Sequence, residues 1–185
     1  MANLLVNGNF AAPPLPPTLL IGTGHPGKCA APNWSTWNNS GPGGACAYTS
    51  TAVLNLNHVD RLVAPPPANP QPYCFGVNEF PMVRPQGADA VLEVRTNGDG
   101  NGIVQVFAGA PHTMSRVSVF VVLGAACMGT GNGGNTGCDR VSTKNYEWEL
   151  LEAPNGVSPA TEFIVYSKGG GAWFFVANAS VVIAG

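Results

Sequence analysis

Residues 90–107 read AVLEVRTNGDGNGIVQVF, and the fold class turns on how they are read. Across Ala90–Thr96 valine and leucine alternate with polar residues, the period of two that a half-buried strand requires. Asn97-Gly98-Asp99-Gly100-Asn101 is a cluster of turn-tolerant residues, and Ile103–Phe107 resumes the strand pattern. The three pieces predict a β-hairpin. In it Leu92 and Val94 face one way, and Glu93, Arg95 and Asn97 the other. Val104 and Val106 match the core side, leaving Ile103, Gln105 and Phe107 opposite, so that Glu93 faces Gln105 across the ladder.

The same reading extends outward. Met114–Leu123 is a long β-branched run suited to a buried central strand, and Tyr146–Leu151, Thr161–Ser167 and Trp173–Ile183 follow it. Upstream, strands are expected at Asn3–Val6, Trp34–Asn38 and Ala45–Leu56. Residues 18–33 and 124–138 are expected to be loops. So are the proline-rich stretches Ala11–Pro17 and Ala64–Pro72, because proline cannot donate to a central ladder. The tally is about nine strands, with no helix and no internal repeat. An all-β, antiparallel two-sheet β-sandwich (jelly roll) with long Pro/Gly-rich loops buries such a set most simply, as a single domain over 1–185.

Composition removes other classes. Only 10% of residues are charged and the net charge is −2, so there is no basic footprint for nucleic acid. The 24 glycines and 17 prolines are nearly double the usual ~12% share, yet 45% of residues are hydrophobic and can build a core. No apolar run reaches the ~18 residues of a membrane span. The first residues, Met-Ala-Asn-Leu-Leu-Val, lack the basic start of a signal peptide, so the chain reads as a mature domain.

The 5 cysteines, at 29, 46, 74, 127 and 138, form no Cys-x-x-Cys pair, which leaves zinc sites of that kind unsupported. Bridges are expected between Cys127 and Cys138 and between Cys29 and Cys46. Cys74 is then left over, or pairs between chains in a covalent dimer. The alternative is five reduced thiols packed as small apolar groups. Cysteine usage and low charge together point to an extracellular or secreted protein. Asn33-Trp-Ser35, Asn38-Asn-Ser40 and Asn178-Ala-Ser180 match the glycosylation acceptor pattern.

Four segments carry a family likeness. Asn3-Leu-Leu-Val-Asn-Gly-Asn-Phe10 resembles the N-terminal Asn-Leu-x-x-Asn-Gly-x-Phe-Glu segment of galactose-binding-like jelly rolls, which include the carbohydrate-binding modules beside bacterial xylanases and glucanases. Trp34-Ser-Thr-Trp-Asn-Asn39 is similar to their Trp-containing strand. Asn101-Gly-Ile-Val-Gln-Val-Phe107 is similar to their Gly-x-x-x-Gln-x-Phe strand, and Phe175-Val-Ala-Asn-Ala-Ser-Val181 to their closing strand. The resemblance implies a sandwich that binds glycans on a sheet face or at rim loops. It also implies a structural calcium held by two acidic residues, but Ala11 and Ala177 stand at those positions. With both ligands gone, no calcium is expected there.

A neutral sugar needs polar groups matched to its hydroxyls and an aromatic face for its ring. The alternation offers Glu93, Arg95 and Gln105 on one patch, with Glu147 and Glu149 opposite Tyr146 and Trp148 on a later strand. A groove of Glu93, Arg95, Gln105, Glu147 and Glu149, with Trp37 or Tyr166 nearby, is the candidate ligand site; otherwise these residues are a solvated face. Trp34, Trp148 and Trp173 are expected in the core. His58-Val-Asp60 is the one pairing suggestive of a proton relay or metal, and no catalytic motif or phosphate loop accompanies it. The reading is a non-catalytic glycan-binding module or lectin that needs no cofactor. Its alternative is a secreted structural, adhesion or host-interaction (toxin-like) protein that uses the sandwich for protein contacts and self-assembly.

Overall fold

The computed structural model describes residues 2–11, 13–22, 24–39, 47–55, 85, 87–133, 135–156 and 158–184. Cys46, Cys74, His58, Asp60 and the proline-rich stretch 64–72 lie outside these residues. Thirteen strands occur among the described residues: β1 (Thr18–Ile21), β2 (Gly24–Lys28), β3 (Ser35–Asn38), β4 (Tyr48–Asn55), β5 (Ala90–Thr96), β6 (Gly102–Ala110), β7 (Thr113–Leu123), β8 (Ala126–Asn132), β9 (Asn135–Thr136), β10 (Arg140–Val141), β11 (Trp148–Pro154), β12 (Ala160–Ser167) and β13 (Trp173–Ile183). They form two sheets. The first runs β1-β4-β5-β13-β7-β11 and the second β10-β8-β12-β6-β3-β2, with β9 paired to β8. Every pairing is antiparallel. The expected sandwich forms, with more strands than the expected nine.

The core lies between the sheets. Leu92, Val94, Val117, Val119, Val121, Phe174 and Val176 from the first sheet meet Ile103, Met128, Phe163 and Val165 from the second. Phe10 and Trp34 close one end, with ring centroids 5.3 Å apart, and Trp34 meets Phe163 edge-on at 6.1 Å. Each such side chain, fully buried, contributes roughly 1.5–3 kcal/mol.

The expected hairpin does not form. β5 pairs with β4 and β13, whereas β6 pairs with β3 and β12. Residues 97–101 therefore carry the chain from one sheet to the other. Ser167 anchors this crossing: Gly100 N donates to its carbonyl at 2.9 Å, and Ser167 N donates to the Asn101 carbonyl at 2.9 Å. Alternation reports which residues share a face but not which strand lies alongside. As a result the expected faces hold for β5 and are reversed for β6, where Ile103 and Phe107 are core and Val104 and Val106 point outward.

Three further expectations are corrected. Asn3–Val6 is a turn rather than a strand, pinned by Asn3 Oδ1 accepting from Leu5 N and Val181 N, both at 3.0 Å. Residues 18–33 contain β1 and β2, and 124–138 contains β8 and β9. The glycines of β8 serve close approach: a Cβ on Gly129 would lie 1.9 Å from the Gly137 carbonyl oxygen. Cys127 and Cys138 are bridged, with Cα atoms 5.9 Å apart. Cys29 is a free thiol instead of Cys46's partner, buried in the core beside Ala30 and Ala31 as a small apolar group.

Candidate functional site

The outer face of the second sheet brings two expected aromatic residues together. Register places Trp37 opposite Gly102, Gly102 opposite Tyr166, Tyr166 opposite Cys127 and Cys127 opposite Val141, one rung across five strands. Trp37 and Tyr166 converge across Gly102 and stack, with centroids 5.9 Å apart and planes 22° from parallel. Gly102 permits this, since a Cβ there would lie 2.2 Å from Val165 O and 2.6 Å from Tyr166 Cα. Trp37 is half-buried and Tyr166 nearly enclosed, packed with Val104, Ile164, Val141 and the disulfide.

Two carboxylates lie near enough to Tyr166 to act on its phenol. Asp99, in the crossing turn, accepts from Gly169 N at 2.7 Å through Oδ1. Asp139, next to the disulfide, accepts from Thr130 Oγ1 at 2.8 Å through Oδ2. The second oxygen of each has no partner among the described residues. Burial pushes the Tyr166 phenol above its ordinary range, and the nearby charges of Asp99 and Asp139 push it the same way. The phenol is thus a protonated hydroxyl at neutral pH. Neither aspartate was expected at the site, because each falls in a Gly/Asn-rich stretch that reads only as a turn.

The other expected site residues are dispersed. Glu93 and Arg95 lie on the outer face of the first sheet, where Glu93 Oε1 accepts from Arg95 Nε at 2.7 Å and from Trp173 Nε1 at 2.9 Å. The Arg95 guanidinium sits 4.0 Å from the Trp173 ring centre. Trp173 belongs to a second apolar cluster on that face, with Phe120, Phe175 and the partly buried Trp148, and not to the core between the sheets. Gln105 points inward and does not face Glu93. Its Oε1 accepts from Val6 N at 2.6 Å, and its Nε2 donates to Val6 O and Asn33 O at 2.8 and 3.0 Å. Glu149 caps the 143–144 backbone, and Glu147 pairs with Lys144 in the open at 3.3 Å. The five polar residues therefore form no common groove.

At the positions where the resemblance implies calcium ligands, Ala11 and Ala177 offer no side-chain oxygen. Ala177 is buried, Ala179 O accepts from Asn3 Nδ2 at 3.1 Å, and Gly8 O accepts from Ala179 N at 2.7 Å.

An antiparallel β-sandwich with an aromatic plate on one sheet face is the class of protein these observations define. No protein family matches the chain, and no curated protein does. Solved structures share the fold. The K2 cleaved adhesin domain of Lys-gingipain is 8% identical, with a TM-score of 0.53 over 91% of this chain and 99% of that one. The carbohydrate-binding and catalytic modules of Clostridium thermocellum endo-1,4-beta-D-xylanase 10B, complexed with xylohexaose, are 10% identical, with a TM-score of 0.50 over 83% of this chain and 26% of that one. A xylan-binding domain from Paenibacillus barcinonensis is 10% identical, with a TM-score of 0.46 over 90% and 100%.

Proposed function

We propose that this chain, as a single domain, is a non-catalytic glycan-binding module whose ligand lies on the outer face of the second sheet. One observation carries the reading: Trp37 and Tyr166 stack on the outer face of the second sheet. Trp37 offers its ring to the apolar face of a pyranose, and Tyr166 backs it. Asp99, exposed in the crossing turn, accepts hydroxyl hydrogens, and the negative charge near the plate favours neutral over anionic polysaccharide. The fold shared with a xylanase's modules supports the same reading. Export to an oxidising compartment belongs to it, since the Cys127–Cys138 bridge persists there.

Calorimetric titration with soluble xylan, mixed-linkage β-glucan and polygalacturonate tests this. A neutral polysaccharide should bind, and Trp37→Ala should weaken binding by about tenfold or more, or ~1.4 kcal/mol. Glu147→Gln should bind as the parent does. Unchanged affinity in Trp37→Ala would remove the plate from the site.

A second reading, association through protein contacts, draws on β1. This edge strand of the first sheet presents Leu19 and Ile21, 60% and 65% exposed. Light scattering after size exclusion separates the two, because a monomer that binds polysaccharide leaves the edge strand without that role.

A further inference from the structure

The Cys127–Cys138 bridge lies in the candidate site itself. Cys127 is directly opposite Tyr166 in the ladder, and Tyr166, Cys127, Cys138 and Val141 pack in one cluster with Trp37 at its margin. Asp139 is the next residue after the bridge. The backbone that carries it is otherwise weakly held: β9 and β10 are two residues each, and Gly137 N and Asp139 N donate to Thr130 O and Met128 O at 3.0 and 2.9 Å. The core between the two sheets is built from other residues.

We infer that the disulfide is the positioning element of the ligand face and makes ligand binding redox-dependent, an inference that rests on the glycan-binding reading. The accessible sulfur is that of Cys138, which is half-buried, whereas Cys127 is fully enclosed. A dithiol reductant attacks Cys138 Sγ. The protein S–S bond breaks and a mixed disulfide forms, with Cys127 leaving as a thiolate. The second sulfur of the dithiol then displaces Cys138. The reductant ends as a cyclic disulfide, and its two protons pass to Cys127 and Cys138. Without the bridge, the Gly137–Asp139 strap is tied to β8 by hydrogen bonds alone, and the packing of Cys138 and Cys127 beneath Tyr166 and Trp37 loosens. Cys29 is a thiol in both states and takes no part.

The test compares oxidised protein, dithiothreitol-reduced protein and the Cys127→Ala/Cys138→Ala variant. Each is titrated with xylohexaose and with whichever soluble neutral polysaccharide the oxidised protein binds, and amide hydrogen exchange is followed in parallel. Reduction and the double variant should both weaken binding by about tenfold. Both should speed exchange at Gly137 and Asp139, while the amides of β7 and β13 stay protected. Equal affinity in the three forms, or unchanged exchange at Gly137 and Asp139, overturns the inference. Loss of protection in β7 and β13 would also overturn it, by making the bridge a requirement of the whole fold. Should the oxidised protein bind no glycan, the functional reading fails, and redox control of binding falls with it. Exchange then still decides whether the bridge positions the strap.

Discussion

At the scale of single residues, the side chains richest in chemistry are largely spent on structure. Glu93 answers both the Arg95 guanidinium and the Trp173 indole, and Asn38 turns its amide to the carbonyls of Leu20 and Gly22 at 3.2 and 2.7 Å. That engagement leaves the second sequon's asparagine buried. Two hydroxyl- or thiol-bearing residues make stability depend on alkaline pH. Burial pushes the Cys29 thiol up, against opposing hydrogen bonds from Ala31, Thr51 and Ala30, and burial followed by Asp99 and Asp139 does the same to Tyr166. In both, the folded chain holds its proton more tightly than the unfolded chain. The contribution is therefore complete below the ordinary value and is lost as pH rises through the raised one. Ordinary values near 8.5 and 10 place the loss above about pH 8.5, the Cys29 stage beginning first. Urea unfolding across pH 7–11 (roughly the window those values set) should show stability falling. Cys29→Ala should remove the early part of the fall and Tyr166→Phe the later part. A parent profile that stays flat to the top of the range would refute this.

At the scale of elements, Gln105 explains how a turn can stand where a strand was expected. Its amide does for Val6 what a neighbouring strand would do, accepting from the N–H and donating to the carbonyl. Gln105→Ala would leave those groups and Asn33 O without their partner, and should cost about 1–3 kcal/mol. Denaturant unfolding reads the loss, and a change below ~0.5 kcal/mol would mean that other groups or water replace the strut. β5 was legible because leucine and valine recur at a period of two on its buried face, and β7 because its run is long and β-branched. β8 was not legible. Its glycines read as a flexible loop, whereas they are present so that Gly137 can cross the sheet at Gly129. β6 was legible as a strand and misread in its facing, since Val104 and Val106 are as apolar as the core residues Ile103 and Phe107. Both of its faces are apolar, so the pattern carries no direction.

At the scale of the whole molecule, direct protein hydrogen bonds close the sandwich at the N-terminal turn. Asn3, Gly8 and Ala179 are joined directly, and the indole of Trp34 donates to Asn7 O at 3.3 Å. The melting temperature should therefore be the same in excess chelator and in millimolar calcium. Calorimetry showing a rise of more than about 2 °C with calcium would mean that a cation is held after all, since ligand linkage must raise it. The sequence by itself determined the all-β sandwich and the places of strands such as β5, β7 and β13, and its cysteine spacing pointed to the Cys127–Cys138 pairing, because alternation, turn residues and spacing are local properties. Only the tertiary structure decided which strands are neighbours, that 97–101 crosses between sheets, and that Trp37 and Tyr166 meet on one face. Those depend on the choice of pairing partner, which the packing of both sheets selects together and no single segment encodes.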